Sequence, residues 1–145
     1  MKILVLNGVN LNMTGIRERG VYGSRTLNEI NEIIKGECKN LGVECDFFQS
    51  NHEGAIVDAL HDARGKYDGI AFNAGAFTHY SYAIHDAISA CEVPTVEVHM
   101  SNVHKREEFR HKSVISDVCV GTIAGFGYNS YILAVEALYD AYNQN

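Results

Sequence analysis

The feature of this 145-residue sequence that most constrains its fold is an alternation of short β-rich runs with longer segments of helical periodicity. Such alternation is typical of βαβ units, which place parallel strands in one sheet and helices on both of its faces. Five β-rich runs occur, namely Lys2–Asn7, Glu44–Gln49, Gly69–Asn73, Thr95–His99 and Val118–Ala124. The sequence therefore predicts an α/β fold with a five-stranded parallel sheet.

Four segments carry apolar residues at three- and four-residue steps, which indicates amphipathic helices. In the first, Thr26 and Glu29 have the spacing of a capping box, and Gly42 can supply a left-handed stop. In the third, Thr78 is the expected N-cap. The predicted helices cover about 27–41, 54–66, 79–91 and 129–142, and their inward faces include Ala83, Ile132, Tyr139 and Tyr142.

Composition limits the classes of function. The chain has the size of one domain, residues 1–145, and its net charge of -6 argues against binding to nucleic acid or anionic membranes. Its four cysteines, Cys38, Cys45, Cys91 and Cys119, have no C-x-x-C spacing and lie in or beside apolar segments, which favours free thiols. No apolar run is long enough for a signal peptide or a membrane span, so the expected location is the cytoplasm.

Polar side chains follow four of the predicted strands at the point where each strand ends. Any one of them could simply cap the next helix. The same trend at four strand ends favours a ligand site, because open α/β sheets bind ligands at this edge. The long segments 10–23 and 101–117 also follow strand ends and are predicted to be binding loops or lids. The polar residues are Asn7, Asn10, Ser50, Asn51, His52, Asn73, Glu97 and His99.

Glu97 and His99 are two residues apart in the strand V-E-V-H, so their side chains point to the same face. A carboxylate beside an imidazole favours its protonated form and fixes its orientation. A polar strand face that meets water is the alternative, but parallel strands are usually covered on both faces. We interpret the pair as a candidate general acid.

Arg106 and Arg110 are four residues apart, a spacing that predicts both guanidinium groups on one side of a helical turn. A solvated helical surface that also carries Glu107 and Glu108 explains the same residues equally well. The position after the V-E-V-H strand favours binding of an oxygen-rich substrate.

Arg17 and Tyr22 lie in the first long segment, where Gly15, Gly20 and Gly23 give the backbone the freedom of a lid. A free tyrosine has a pKa of about 10, and a nearby arginine favours the phenolate. An arginine and a tyrosine in a loop are usually plain surface residues. Their position after the first strand raises the prospect of a base only modestly.

The motif N-A-G-A-F-T-H at 73–79 combines a strand end, a small-residue turn and a helix start. Its backbone N–H groups suit an oxyanion or a hydroxyl-rich ligand. His79 fits a helix-start residue as well as a ligand residue.

No motif for a metal or a dinucleotide is present. The seven histidines include no H-E-x-x-H and no paired Cys–His zinc spacing, so a metal site is not expected. The glycines at 121–127 lack the dinucleotide-binding spacing and follow the last strand rather than the first.

Four motifs in order resemble the type II 3-dehydroquinases. They are L-N-G-V-N-L-N, the R-E-x-x-V-Y-G loop, N-A-G-A-F-T-H-Y-S and V-E-V-H-M-S-N-V-H-K-R-E-E-F-R-H-K-S, and the resemblance covers essentially the whole chain. It implies a flavodoxin-like subunit that assembles into trimers and commonly into dodecamers. It also implies conversion of 3-dehydroquinate to 3-dehydroshikimate in the shikimate pathway, by anti elimination through an enolate without metal, organic cofactor or covalent intermediate.

The resemblance also implies residue roles. Tyr22 would remove the C2 proton, and Arg17 in the lid would favour its phenolate. His99, oriented by Glu97, would protonate the departing hydroxyl, and Asn10 would hold a water against the enolate. Substrate oxygens would be bound by Asn73, His79, Arg110, Met100 and Ser101, and Asp86 would reach the site of a neighbouring subunit.

Two positions depart from the family pattern. Val9 and Arg19 stand where the family usually has proline. Because proline restricts a loop's freedom, we expect lid closure to be less preorganised here. Neither change removes a group with an implied catalytic role.

Two other readings use the same fold. A flavodoxin-like module that binds flavin or receives a phosphoryl group is one, but a receiver would need acidic residues where Asn7, Asn10 and Asn73 stand. An inactive homologue is the other, and it is disfavoured because every implied catalytic position carries suitable chemistry.

Overall fold

The five predicted strands form one parallel sheet in the computed structural model, which describes residues 1–144. The order across the sheet is β2-β1-β3-β4-β5, the order of flavodoxin-like folds. The α/β prediction is therefore confirmed. The strands are β1 (Lys2–Asn7), β2 (Glu44–Gln49), β3 (Gly69–Asn73), β4 (Thr95–His99) and β5 (Gly121–Ala124).

Helices cover both faces of the sheet and enclose two cores. Buried residues of α2 and α5 pack on one face, and those of α3 and α4 pack on the other. Segments after β1, β3 and β4 contain short 3-10 helices. The helices are α1 (Arg19–Tyr22), α2 (Leu27–Leu41), α3 (Glu53–Ala63), α4 (Tyr82–Cys91) and α5 (Asn129–Asn143), and the 3-10 helices are Leu11–Met13, Gly75–His79, Val103–Lys105, Glu108–Arg110 and Ser116–Val118.

Local sequence signals define α2 at both ends. The Thr26 hydroxyl accepts a hydrogen bond from the Glu29 backbone N–H at 3.2 Å and also contacts the Glu29 carboxylate. Gly42 ends the helix with φ of 71°, in the left-handed region that glycine adopts without strain. Both cap predictions are confirmed.

The predicted start of α4 is wrong. Residues Gly75–His79 form a 3-10 helix, and the α-helix begins only at Tyr82. Its N-cap is Ser81, whose hydroxyl accepts from the Ile84 N–H at 3.1 Å, whereas the buried Thr78 hydroxyl has no hydrogen-bond partner among residues 1–144. Ala83, predicted to face inward, is exposed.

Other boundaries and faces also differ. α3 begins at Glu53 and ends at Ala63, because Arg64 leaves the helical region with ψ of 124°. The fifth strand was predicted to start at Val118, but Val118 ends a 3-10 helix and β5 starts only at Gly121. On α5 the buried residues include Tyr131 and Ala134, whereas the predicted inward residues Ile132 and Tyr139 are half-buried and Tyr142 is exposed.

The ends of β1 and β3 approach each other closely. The Gly8 N–H donates to the Asn73 carbonyl at 2.7 Å, and a Cβ at position 8 would lie 2.3 Å from the Ala74 carbonyl oxygen. Gly75 has φ of 63° and a Cβ there would meet the Val9 carbonyl at 2.6 Å. Glycine at these two positions therefore allows the ends of β1 and β3 to pack closely against each other.

The four cysteines are free thiols, as expected. Cys38 is buried between α2 and the sheet, and burial raises the pKa of its thiol to about 12. Among residues 1–144 no helix has the length and apolar character needed to cross a bilayer.

Candidate active site

A cavity lies where β1, β3 and β4 end, and the lid segment contributes to its wall. Most of the residues with predicted roles line it. Glu97 does not line the cavity but is hydrogen-bonded to His99, which does, and Asp86 lies outside the cavity. The lining residues with predicted roles are Asn10, Arg17, Tyr22, Asn73, His79, His99, Met100, Ser101 and Arg110, and the others include Leu11, Thr14, Val103 and Arg106.

The V-E-V-H strand forms a buried carboxylate–imidazole pair. His99 Nε2 donates to Glu97 Oε2 at 2.5 Å, and the two residues are 7% and 1% exposed. The prediction that they share one face of β4 is confirmed. Because Nε2 is engaged with the carboxylate, Nδ1 is the ring nitrogen left for a ligand.

Two serines complete the environment of Glu97. Ser113 Oγ and Ser116 Oγ donate to Glu97 Oε1 at 2.9 and 2.6 Å. Burial by itself would raise the pKa of Glu97, but the hydrogen bonds from His99 and the serines outweigh it and hold the pKa below the ordinary value of 4.5. Glu97 is therefore a charged group that can hold the imidazole in place.

His79 lies beside His99 with its ring nearly parallel, 16° between planes and 6.4 Å between centroids. Its Nδ1 donates to the Lys112 carbonyl at 2.7 Å. Burial lowers the pKa of His79, and this favours the neutral ring. A neutral ring with the proton on Nδ1 presents Nε2 as a hydrogen-bond acceptor, which suits a hydroxyl group.

Tyr22 is held by two arginines rather than one. The guanidinium carbons of Arg17 and Arg106 each lie 5.1 Å from the centroid of its ring. Arg106 Nη1 donates to the Tyr22 hydroxyl. Sequence reasoning placed Arg106 only in a basic cluster and missed this contact, because the two residues are 84 positions apart.

Glu18 links the two arginines. Its carboxylate accepts from Arg17 Nη1 at 2.5 Å and from Arg106 Nη2 at 3.3 Å. Its backbone has φ of 45°, a left-handed conformation that is uncommon for a residue with a side chain. This strained residue immediately precedes α1, which carries Tyr22.

The two arginines of the basic cluster do not share one helical turn, so that prediction is wrong. Arg106 lies between two 3-10 helices, and Arg110 ends the second. Both still line the cavity. Arg110 Nε donates to the Glu107 carboxylate at 3.3 Å, and its guanidinium lies 4.7 Å from the centroid of the Phe109 ring.

A buried tyrosine orients the amide side chains at the strand ends. Tyr131 on α5 donates to Asn7 Oδ1 at 2.5 Å and accepts from Asn73 Nδ2 at 2.9 Å. Asn73 Oδ1 accepts from the Gly75 N–H at 3.1 Å. Burial raises the pKa of Tyr131 and keeps it a neutral donor. One N–H of Asn73 therefore remains for a ligand, and the inward direction of Tyr131 was not predicted.

Asn10 lies at the cavity in a left-handed conformation, with φ of 68°. Its backbone N–H donates to Asn51 Oδ1 at 2.9 Å, which is the contribution of the β2 end to the site. Ser50 and His52 stay outside the lining, and the Ser50 hydroxyl accepts from the His52 N–H at 3.0 Å.

Comparison with known proteins identifies the family. The family model described as "Dehydroquinase class II" matches residues 1–139. The chain belongs to the class II dehydroquinase family. This confirms the resemblance seen in the four motifs and the prediction of an enzyme of the hydro-lyase type.

Individual class II dehydroquinases match over nearly the whole chain. A curated relative from Clostridium perfringens named 3-dehydroquinate dehydratase is 57% identical over 139 residues, which are 95% of this chain and 96% of the relative. A type II dehydroquinase crystal structure from Butyrivibrio crossotus superimposes with a TM-score of 0.93 at 49% identity, covering 95% of this chain and 97% of that one. Another from Propionibacterium acnes gives a TM-score of 0.93 at 38% identity.

One residue with a predicted role in this class II dehydroquinase lies away from the cavity of its own chain. The Asp86 side chain on α4 is 84% exposed and contacts His85 Nδ1 at 2.9 Å. Its role in a neighbouring site stays a prediction. Within residues 1–144 no group of three or more His, Cys, Asp or Glu side chains is arranged to hold a metal ion.

Proposed function

We propose that the chain dehydrates 3-dehydroquinate to 3-dehydroshikimate in the shikimate pathway, with Tyr22 as base and His99 as acid. Family membership supports the overall reaction. The observation that carries the mechanism is that an arginine-bonded tyrosine and a carboxylate-bonded histidine line the same cavity. A base and an acid held by different elements suit an elimination that removes a proton from one carbon and a hydroxyl from another.

Tyr22 removes the C2 proton as its phenolate. Two guanidinium groups beside the ring favour that anion, and the Arg106 hydrogen bond acts directly on the oxygen that bears the charge. α1 carries the tyrosine and lies in the lid between Gly15 and Gly23, so lid movement can bring the base over a bound substrate.

His99 then protonates the departing hydroxyl from Nδ1. The opposite nitrogen is bonded to Glu97, which fixes the ring and stabilises the imidazolium needed for proton donation. Between the two proton transfers, Asn10 holds a water that stabilises the enolate.

The remaining lining residues bind substrate oxygens. Asn73 keeps one N–H free, and neutral His79 offers Nε2 to a hydroxyl hydrogen. Arg110 supplies positive charge for the carboxylate, and Met100 and Ser101, which follow β4, line the same cavity. This set of donors suits an anionic polyhydroxylated ring.

The resemblance further supports assembly into trimers and, from these, into a dodecamer. We also propose that one catalytic domain spans the chain and that it resides in the cytoplasm, where its unpaired thiols would remain reduced.

The test is to mix the purified protein with 3-dehydroquinate and record the absorbance of the conjugated enone. His99→Ala should lower kcat by about 10²-fold or more, the scale of a positioned general acid. Glu97→Gln should have a smaller effect because the imidazole remains, whereas Tyr22→Phe should remove most of the activity. Near-normal turnover in His99→Ala or Tyr22→Phe would reassign that role.

A second measurement tests the absence of metal and imine chemistry. Activity should survive exhaustive chelation and treatment with borohydride in the presence of substrate. Loss to chelator with recovery on adding a divalent ion, or substrate-dependent inactivation by borohydride, would contradict the proposed mechanism.

A further inference from the structure

The turn that holds Glu97 has its own internal order. Ser113 Oγ accepts from the backbone N–H groups of Ile115 and Ser116 at 3.2 and 3.1 Å while it donates to Glu97. Ser116 Oγ donates to the same carboxylate oxygen. The position of this turn therefore determines where both serine hydroxyls meet Glu97.

A histidine on α4 is tied to the residue that follows this turn. His85 Nε2 lies 3.0 Å from Asp117 Oδ2, and its Nδ1 lies 2.9 Å from Asp86 Oδ1. A carboxylate accepts hydrogen bonds, so both ring nitrogens must carry protons to satisfy both contacts. His85 is thus an imidazolium between two carboxylates.

We propose that the His85–Asp117 ion pair is a brace that positions the turn at Ser113–Ser116, and through it Glu97 and His99. The inference extends the proposed acid role of His99. The path runs from the His85 ring to Asp117, through the adjacent Ser116 hydroxyl to Glu97, and from Glu97 to His99 Nε2. His85 is a positioning residue, because it does not line the cavity.

The brace acts mainly by holding the turn in position, and it adds little to the free energy of unfolding. His85 is one-quarter exposed and Asp117 largely exposed, and ion pairs of this kind contribute little to the free energy of unfolding. Short hydrogen bonds, by contrast, are sensitive to small displacements, and the Ser116–Glu97 and Glu97–His99 bonds are 2.6 and 2.5 Å long.

The charge on His85 makes the brace dependent on pH. Hydrogen bonds to Asp117 and Asp86 raise the pKa of His85 above its ordinary value of 6.5. On α3, which packs against α4, Glu53 is engaged by the Ser81 hydroxyl at 2.6 Å. The pKa of His85 is higher in the folded than in the unfolded protein. The charged brace is therefore complete below pH 6.5 and weakens as pH rises through the raised pKa.

Four single variants of the protein, and the double variant His85→Gln/Asp117→Asn, test the brace. His85→Gln and Asp117→Asn remove its charges, and His85→Arg keeps a cation that can contact both carboxylates. His61→Gln is the matched control, because His61 is an exposed histidine on α3 outside the cavity. Steady-state kinetics from pH 5 to 9, melting temperatures and the NMR resonance of the proton on His99 Nε2 are measured for each.

We expect His85→Gln and Asp117→Asn to lower kcat about three- to tenfold, less than the roughly 10²-fold for the acid itself, with KM changed less than about twofold. The double variant should be no worse than the more damaging single variant. His85→Arg should retain turnover and lose the decline that accompanies His85 deprotonation, and His61→Gln should match the parent. The His99 resonance should move in His85→Gln.

A loss of kcat in His85→Gln that Asp117→Asn does not share would assign the effect to the His85–Asp86 contact and overturn the proposal. A lower melting temperature in His85→Gln with unchanged kcat, pH profile and His99 resonance would reduce the pair to a structural contact and overturn the proposal. Additive losses for His85 and Asp117 would also overturn it. A shifted His99 resonance with unchanged kcat would support the brace and count instead against His99 as the acid.

Discussion

At the scale of single residues, Arg106 is better placed than Arg17 to stabilise a phenolate at Tyr22. Both arginines bond Glu18, but the Arg106 side chain is only 9% exposed and bonds the hydroxyl itself, whereas Arg17 is 36% exposed and contacts the ring face. A charge in a less hydrated position is screened less. We therefore expect the principal cation to be Arg106, in the segment after β4, rather than Arg17 in the lid.

Arg106→Ala should lower kcat about 10- to 100-fold, the effect of losing a charged hydrogen bond of about 1.5–3 kcal/mol. Its KM should change less, and Arg17→Ala should be no more damaging. Arg25→Ala is the matched control, since Arg25 lies 5.3 Å from the centroid of the Tyr128 ring, away from the cavity. If the penalties of Arg106→Ala and Tyr22→Phe simply add, the two residues do not act as one unit.

Glu97 should also make stability depend on pH. Its folded pKa is below 4.5, so its ionisation stabilises the fold above that pH, and this contribution is lost as pH falls through the folded pKa. The free energy of unfolding should therefore fall relative to that of Glu97→Gln below about pH 4.5. Urea titrations at fixed protein concentration from pH 3 to 7 measure the difference, and parallel curves would contradict the expectation.

The sequence predicts residues within one strand or motif better than contacts between segments. Glu97 and His99 share a face because alternation along a strand dictates it. The bonds of Arg106 to Tyr22 and of Tyr131 to Asn7 join residues 84 and 124 positions apart. No local pattern encodes such pairs, since they depend on how the lid and α5 pack against the sheet.

At the scale of elements, α4 shows how packing chooses between two local signals. The sequence analysis predicted Thr78 as the N-cap, but serine is as good a cap as threonine and Ser81 takes that position in the structure. Ser81 serves because its hydroxyl also reaches the Glu53 carboxylate at 2.6 Å, which joins the starts of α3 and α4. Strand positions and α2 were predictable from periodicity and caps, whereas this choice required the neighbouring helix.

Ser81→Ala should lower the free energy of unfolding by about 1–2 kcal/mol, because it removes a cap and a charged hydrogen bond. Thr78→Val is the matched control. It removes a buried hydroxyl that has no partner in the described part of the chain, and it should change stability by less than about 0.5 kcal/mol or increase it slightly. Urea unfolding of both variants measures this, and a larger loss for Thr78→Val would show that Thr78 has a partner in solution.

At the scale of the whole molecule, Asp86 determines whether one chain forms a complete site. Asp86 is on the surface of α4, outside the cavity that holds His99. If assembly brings this carboxylate to a neighbouring site, Asp86→Ala and His99→Ala damage different halves of it. Either variant alone should then assemble normally but have little activity.

Mixed assemblies of the two variants distinguish the possibilities. A chain with Asp86→Ala keeps His99, and a neighbour with His99→Ala keeps Asp86, so some interfaces regain an intact site. Random mixing in equal amounts should restore about a quarter of the sites, because each of the two groups is intact with a probability of one half. Co-expression with two affinity tags gives the mixed oligomer, and analytical ultracentrifugation confirms its size. Activity no higher than that of the separate variants, or a fully active monomer, would place the whole site within one chain.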